Sequence, residues 1–261
     1  LVSSVIESRA IVPAATIPTV NNRLRSFGFV LKDVARLYVK YFERDDQALA
    51  DGSDAADEWH MGRGGFRLDW DATKEDRVTF QGDAYAGEVG DSVPAATLAP
   101  PFLRNAVGDG IVSGGNLLGR WSHSFSKTSD MELQLYYDRT KRTRVATLDE
   151  VRDTFDLDFQ FQFAPDSRQK IVVGAGYRLS SDRTDKRLIG GFDPADRTID
   201  VLSAFIQDEI TLLDKKLYLT LGSKFEHNDF TGFEAQPSAR LLWTPNNKHT
   251  LWTSFSRALV T

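Results

Sequence analysis

Six side chains in this sequence combine aromatic rings with guanidinium groups and are the first candidates for a binding site. Guanidinium groups form charge-assisted hydrogen bonds with carboxylates and phosphates, and aromatic rings offer flat surfaces for stacking. Together they predict a site for an anionic ligand that contains a ring. The alternative is that these side chains only solvate a polar surface or pair with nearby acids. The candidates are Trp59, Arg63, Tyr85, Arg142, Arg152 and Arg178.

Other kinds of chemistry find little support in the sequence. The four histidines have no metal-ligand spacing, and there is no cysteine. The pair Gly174 and Gly176 lacks the third glycine of a dinucleotide-binding fingerprint. The acidic run at residues 51–58 departs from EF-hand spacing, so a solvated loop is favoured over a calcium site. We therefore predict no catalytic residue, no metal site and no cofactor.

The composition limits the class of protein. The chain of 261 residues has a net charge of −5 and a pI of about 5.5, which gives no electrostatic reason to expect a nucleic-acid partner. Mean hydropathy is −0.34, and no run of 18 apolar residues is present. No transmembrane helix is therefore predicted. Membrane-spanning strands are compatible with such values because their apolar residues alternate with polar ones.

The clearest pattern for an element that could position the candidates lies at residues 155–163. Side chains of a strand point alternately to opposite faces, so strict alternation predicts a strand with one apolar and one polar face. The apolar positions are Phe155, Leu157, Phe159, Phe161 and Phe163. Four phenylalanines on one face need an apolar cover. That cover is either a second sheet or lipid.

Similar alternation recurs from about residue 34 onward and predicts eleven strands, many of them long enough to cross a bilayer when tilted. Short turns are predicted at residues 71–75, 127–129, 165–168, 213–215 and 245–247. Longer polar loops are predicted between them, at residues 47–57, 89–115, 143–151, 182–198 and 229–235. Short turns at one end of the strands and long loops at the other are typical of outer-membrane barrels. We therefore divide the chain into a poorly patterned segment, residues 1–33, and a partial β-barrel domain, residues 34–261.

The two faces of the predicted strands favour lipid as the cover. Trp70, Phe125, Phe163 and Trp243 each lie within two residues of a short turn, on the apolar face. Aromatic residues at one height predict a belt at a membrane interface. The opposite face carries acids and bases at a density that a dry core does not accept, which suits a lumen filled by water or a plug. The six candidate residues lie on this polar face, near the long loops.

Four segments near the end of the chain resemble the barrel of TonB-dependent outer-membrane receptors. These are residues 203–210, 217–228, 236–245 and 254–258, and residues 41–45 and 69–71 fit earlier strands of the same family. The resemblance implies a barrel of about 22 strands closed by an N-terminal plug. It also implies uptake of ferric siderophores, cobalamin or related scarce nutrients, energised by the TonB complex.

The chain lacks a recognisable plug and carries about half of the expected strands. We therefore expect an all-β fold, an antiparallel up-and-down transmembrane barrel with about 11 of 22 strands. The expected partners are outer-membrane lipid, a ferric siderophore or similar ligand, and the TonB complex, reached through a plug outside this chain. The location implied is the Gram-negative outer membrane. Alternatives are a passive porin, a barrel-type outer-membrane enzyme and a soluble β-sheet binding protein.

Overall fold

The computed structural model describes residues 22–31, 35–145, 148–186 and 191–258. These residues form twelve strands. No helix in the described ranges is long and apolar enough to cross a membrane. The strands are β1 (Asn22–Leu31), β2 (Ala35–Arg44), β3 (Trp59–Asp71), β4 (Asp76–Ala96), β5 (Leu103–Ser126), β6 (Ser129–Thr143), β7 (Leu148–Phe163), β8 (Gln169–Lys186), β9 (Asp196–Leu213), β10 (Leu217–Asn228), β11 (Gly232–Asn246) and β12 (His249–Ser256).

All twelve strands belong to one sheet, in which each strand pairs antiparallel with the next along the chain. The short turns place consecutive strands side by side, which is the simplest outcome for alternating segments joined by a few residues. This order confirms the predicted up-and-down topology.

Two strands are much longer than the sequence pattern predicted. β4 has 21 residues and β5 has 24, and their ladder runs out to the pair Ala96 and Leu103. Most of the loop predicted at residues 89–115 is therefore strand, and that prediction was wrong. The reason is that glycine, alanine, serine and proline make up about half of this stretch and give little contrast between faces, so alternation is hard to see in the sequence. The loops predicted at 143–151 and 182–198 are also shortened by longer strands.

β1 was not among the eleven predicted strands. It pairs with β2 over ten residues, and Phe27 and Phe29 stand opposite Val39 and Leu37 in the register. Arg25 has the same parity as Phe27 and Phe29, whereas the apolar Leu24 and Val30 have the other, so the alternation in this segment is weak. Residues 1–21 and 32–34 lie outside the described residues, and the division of the chain at residue 33 stays a prediction.

The register separates the two faces of the sheet as the alternation predicted. Leu133, Phe159 and Ala175 stand side by side in one row across β6, β7 and β8, on the apolar face. The adjacent row, on the polar face, contains Glu132, Gln160 and Gly174. In the described part of the chain Ala95 is the one buried hydrophobic residue, whereas Phe155 on the stripe is 39% exposed. A single sheet therefore leaves the apolar face without cover from the chain itself. This argues against the soluble double-sheet alternative.

The predicted aromatic residues lie beside the short turns on the apolar face. Trp70, Phe125 and Trp243 are exposed, and the Phe163 ring stacks on Phe161 at 5.5 Å between centroids. Their height and face agree with the predicted belt.

The structure adds Asp76, Trp121 and His123 to this end of the apolar face. One oxygen of the Asp76 carboxylate accepts from the Trp121 indole at 2.9 Å and lies 2.7 Å from His123 Nδ1. Its other oxygen accepts from the Thr73 hydroxyl at 2.7 Å. The His123 ring meets Phe125 edge-on at 4.5 Å. A single carboxylate therefore ties the turn between β3 and β4 to the aromatic side chains of β5.

Candidate functional site

The candidate site is on the polar face, at the end of the strands farther from the short turns. The ladder places Arg63 opposite Tyr85, and Arg152 between Thr140 on β6 and Asp182 on β8. All six sequence-predicted residues share this face because their positions in the register have the same parity. The faces on which they lie were therefore correctly predicted.

Three of the six candidates line one pocket. Tyr85 on β4, Arg142 on β6 and Arg152 on β7 surround a cavity of about 400 Å³. The pocket combines a phenol ring, two guanidinium groups and two carboxylates, Asp138 and Glu150. The strands position these groups by register, since Arg142 stands opposite Glu150 and Arg152 is two residues further along β7.

A glycine on the neighbouring strand sets the position of Tyr85. A Cβ at Gly114 on β5 would lie 2.7 Å from the Tyr85 hydroxyl oxygen and 2.8 Å from the ring carbon that carries it. The phenol ring therefore lies directly over the Gly114 backbone. A larger residue at this position would displace the ring from the pocket wall.

The two arginines of the pocket differ in their partners. Arg152 forms an ion pair with Asp182, with one contact at 3.2 Å, and lies 3.3 Å from a Glu150 oxygen. Arg142 is exposed and has no ion-pair or hydrogen-bond partner among the residues that the structure describes. The arrangement leaves the Arg142 guanidinium available to an anion, while Arg152 is held by carboxylates.

The structure does not bring the other three candidates into this pocket. Arg63 donates to Asp83 through Nε at 2.9 Å. Trp59 lies against Phe42, with ring centroids 6.2 Å apart. Both residues are on β3, which pairs with the strand of Tyr85, but neither of them lines the pocket.

Arg178 lines a separate pocket of about 370 Å³ and donates to Asp156 at 2.7 Å. This second pocket also contains Asp158, Lys224 and Glu226, and the Lys224 ammonium is 2.7 Å from Glu226. Its charges are largely paired. The proposal of a common site for all six residues therefore narrows to Tyr85, Arg142 and Arg152.

Sequence reasoning missed a charged network near the short turns. Arg67 donates to both oxygens of Asp69, at 2.7 and 2.8 Å, and to the Gln81 side chain at 2.8 Å. Arg36 stands directly opposite Arg67 in the register, and both line a pocket of about 510 Å³. The side-chain types were visible in the sequence, but the pairing across strands needs the register. The polar face thus carries ion pairs from one end to the other.

The loop between β2 and β3 borders the long-loop end of this face and is organised by a carboxylate pair. Asp46 accepts hydrogen bonds from the backbone N–H groups of Asp57, at 2.9 Å, and Glu58, at 3.3 Å. A hydrogen bond with the Glu58 side chain is the main cause that lowers the pKa of Asp46 below its ordinary value. The same bond raises the pKa of Glu58. When the pair holds a single proton, that proton is therefore on Glu58, and Asp46 is the ionised member.

The acidic run at residues 51–58 belongs to this loop. Asp51 accepts from the backbone and hydroxyl of Ser53, at 3.0 and 2.6 Å, which lowers the pKa of Asp51. Across the described ranges, no group of three or more His, Cys, Asp or Glu side chains is arranged to hold a metal ion. The carboxylates of Asp46, Asp51 and Asp57 bind the loop's own backbone and hydroxyl groups.

The fold and the charge pattern define a class of protein. A single up-and-down antiparallel sheet with an uncovered apolar face, an aromatic belt and an ion-paired polar face is part of the wall of a transmembrane β-barrel. A family model described as TonB dependent receptor-like, beta-barrel, matches residues 15–261. The chain belongs to the TonB-dependent receptor β-barrel family. Barrels of this family lie in the outer membrane of Gram-negative bacteria.

Solved structures agree on the fold. A ferric enterobactin receptor, PfeA, from Pseudomonas aeruginosa matches 91% of this chain with a TM-score of 0.69 and 15% identity. The siderophore receptor PirA from Acinetobacter baumannii matches 90% with a TM-score of 0.64 and 18% identity. The copper transporter OprC matches 90% with a TM-score of 0.62 and 14% identity. No curated protein sequence matches the chain.

The chain spans only part of those proteins, covering 41%, 40% and 42% of their respective lengths. This agrees with the prediction of a partial barrel. The family and these neighbours are receptors and transporters, not enzymes, as predicted.

Proposed function

We propose that this chain forms the ligand-capturing part of the wall of an outer-membrane receptor, which imports a scarce nutrient with energy from the TonB complex. The nutrient is an anionic, ring-containing complex such as a ferric siderophore. The observation that carries the proposal is the pocket that places the unpartnered Arg142 beside Tyr85 and Arg152. The siderophore receptors among the structural neighbours support the same class of ligand.

Each part of the pocket has a role in this proposal. The Arg142 guanidinium donates to anionic oxygens of the ligand, and the Tyr85 ring stacks against a planar group. Arg152 adds positive potential but stays bound to Asp182 and Glu150. Asp138 and Glu150 disfavour acidic groups that approach in the wrong orientation. The ligand is thus selected by the position of its charges as well as by their sign.

Passage along the polar face would proceed by exchange of ion pairs. The pairs in the pockets are partly exposed, and Arg178 is 63% exposed in its pair with Asp156. Exposed pairs contribute about 0–1 kcal/mol each, so an anionic ligand can displace a carboxylate at small cost. A polar face with weak ion pairs can therefore bind a charged ligand at successive positions and release it from each.

A first experiment tests the pocket. The full-length receptor with Arg142→Gln is titrated with a ferric catecholate and a ferric hydroxamate, and binding is followed by calorimetry. Loss of a charge-assisted hydrogen bond is expected to weaken the bound complex roughly tenfold or more. Arg178→Gln, outside the pocket, is the matched control and is expected to change Kd less than threefold. Equal Kd for wild type and Arg142→Gln would refute the role of the pocket.

A second experiment distinguishes an energised receptor from a passive porin. Uptake of the radiolabelled iron complex is compared in cells with and without a functional TonB complex, at ligand concentrations near Kd. Loss of uptake with unchanged surface binding is expected in the cells that lack TonB. Equal uptake in both strains would identify a passive pore.

A further inference from the structure

One row of the register on the polar face runs from the ligand pocket into a series of apolar residues. Arg142 on β6 stands opposite Val112 on β5, and Val112 stands opposite Gly87 on β4. The row continues through Met61 on β3 to Phe42 on β2. Neighbouring strands are about 4.8 Å apart, so the backbones of Arg142 and Phe42 are separated by about 19 Å along the wall. The ligand pocket therefore has an apolar extension on its β5 side.

The next row on this face, farther from the short turns, widens the extension. Gly110 on β5 stands opposite Val89 on β4, which stands opposite Trp59 on β3. Arg44 on β2 ends this row beside Trp59. Between Arg142 and Arg44, the two rows contain only apolar residues and glycine. The rows present five apolar side chains, which we call the apolar shelf: Phe42, Trp59, Met61, Val89 and Val112.

A glycine on β4 keeps the middle of the apolar shelf flat. Gly87 is buried, and a Cβ there would meet the backbone oxygen of His60 and lie 3.0 Å from Met61 Cα. A larger residue would therefore push β3 and β4 apart. With glycine at this position, the apolar surface continues from Val112 to Met61 without a side chain standing between them.

The apolar shelf is open to the lumen. Val89 is 39% exposed, and Phe42, Trp59, Met61 and Val112 are partly exposed. The rings of Phe42 and Trp59 lie with their centroids 6.2 Å apart. Apolar surface in contact with water is unfavourable, so a hydrocarbon group that covers the shelf gains free energy.

Charged side chains border the apolar shelf, and the two on its inner side have partners that lie away from it. Arg63 donates to Asp83 at 2.9 Å, and the Lys40 ammonium lies 5.6 Å from the centre of the Tyr38 ring. Both partners are nearer to the short turns than the shelf is. On the outer side, Asp91 is the next residue of β4 on this face. An apolar group on the shelf would therefore leave the contacts of Arg63 and Lys40 intact.

We propose that the apolar shelf binds the hydrocarbon chain of an amphiphilic ligand whose anionic head group is held at Arg142. A compact head group that contacts Arg142 and stacks on Tyr85 covers only the part of the face from β4 to β6, whereas the shelf continues to β2. An extended acyl chain has the shape and the apolar character to cover the remaining part. The inference rests on the proposed function, because the pocket positions the head group, and it narrows the ligand to an acylated metal chelate.

The test compares two ligands that differ only in the length of one chain. Both are citrate-based ferric dihydroxamates, which are anionic, with either an acetyl or a decanoyl group on one hydroxamate nitrogen. Each is titrated into the full-length receptor in lipid nanodiscs, and titration of empty nanodiscs corrects for partition into lipid. Wild type is expected to bind the decanoyl ligand roughly tenfold more tightly than the acetyl ligand, since each buried methylene adds to the affinity.

A double variant makes the shelf polar at nearly constant volume. Met61→Gln/Val89→Thr is expected to reduce the ratio of the two Kd values to less than threefold. The matched control, Leu118→Gln/Val172→Thr, makes similar changes on the polar face outside the shelf and is expected to keep the wild-type ratio. The heat-dependent gel mobility of each variant verifies its fold. An equal reduction of the ratio in both double variants would overturn the proposal.

Arg142→Gln separates this inference from the proposed function. It is expected to weaken the binding of both ligands by the same factor and to keep their ratio, because it removes a contact with the head group only. Equal Kd values for the two ligands in wild type, with an affinity that still depends on Arg142, would overturn the role of the shelf and leave the pocket in place. Absence of binding of both ligands to wild type would overturn the proposed function and this inference together.

Discussion

Phe159 and Gln160 are neighbours in the chain but face different surroundings. Phe159 stands between Leu133 and Ala175 on the apolar face, and Gln160 between Glu132 and Gly174 on the polar face. Arginine in place of Phe159 would put a charge against lipid at the middle of the apolar stripe 155–163, at a cost of about 2–4 kcal/mol. Arginine in place of Gln160 would face Glu132.

We therefore expect Phe159→Arg to lower the free energy of unfolding of the full receptor by about 2–4 kcal/mol and to reduce its assembly. Gln160→Arg is expected to leave both nearly unchanged. Urea unfolding in lipid vesicles, followed by tryptophan fluorescence, measures the difference. If the two variants behave alike, Phe159 does not face lipid.

At the same scale, the sequence identified the right types of residue but not their partners. Period-2 alternation was enough to place all six candidates on the polar face, because a side chain's face depends only on parity within its strand. The choice of Tyr85, Arg142 and Arg152 as one site depends on which residues of β4, β6 and β7 are neighbours. That depends on the register across three strands and their turns, which no local pattern contains.

The loop between β2 and β3 offers a test at the scale of one element. Asp46 caps the backbone N–H groups of Asp57 and Glu58, and its carboxylate can accept a hydrogen bond from the Glu58 carboxyl when Glu58 is protonated. The raised pKa of Glu58 means that its contribution to loop stability is complete at low pH and is lost as the pH rises through that pKa. The lowered pKa of Asp46 means that its contribution is lost only as the pH falls through a value below 3.8.

At pH 7 both carboxylates are ionised and repel each other, so Glu58→Gln is expected to stabilise the loop. A glutamine amide can donate to Asp46 without a charge. Hydrogen–deuterium exchange of the Asp57 amide at pH 7 is expected to slow by a few fold, and the difference from wild type is expected to shrink towards pH 4.5. Asp45→Asn, in which the neighbouring exposed acid is changed, serves as the control. Faster exchange in Glu58→Gln would contradict the proposed carboxylate pair.

Sequence patterns predicted the existence of elements better than their ends. Eleven strands were located where hydrophobic contrast is strong, as in the phenylalanine stripe of β7. The contrast between the two faces is weak in β1, where Arg25 has the parity of the phenylalanines and Val30 has the other parity. It is also weak in the outer halves of β4 and β5, where glycine, serine and alanine make both faces similar. In these segments the strand is supported by backbone pairing with its neighbours, so hydropathy contributes little to the pattern.

For the whole molecule, the edges of the sheet determine what the chain can do alone. In the described residues, β1 pairs only with β2, and β12 pairs only with β11. Unpaired backbone N–H and C=O groups in lipid cost several kcal/mol each, so open edges are not tolerated in a bilayer. The other strands of the receptor barrel would provide the missing partners.

The chain of 261 residues, expressed alone and refolded in detergent, is therefore expected to unfold at lower urea concentration than the full receptor. It is also expected to show no heat-dependent shift in gel mobility. The full receptor, treated in parallel, is the control. A urea-resistant band with that shift would mean that the chain closes on itself or assembles with other copies.

The outer part of the β4–β5 hairpin extends beyond the neighbouring strands and offers a place for insertions. β4 continues past Val89, its last pairing with β3, and β5 begins before Val112, its first pairing with β6. The two strands therefore stand beyond their neighbours as a ribbon that ends in the turn 97–102, where Leu98 is fully exposed. Extra residues at such a tip disturb no other strand, and lengthening a loop costs little entropy. We therefore expect this turn to accept a foreign peptide for display or labelling with little effect on the other strands.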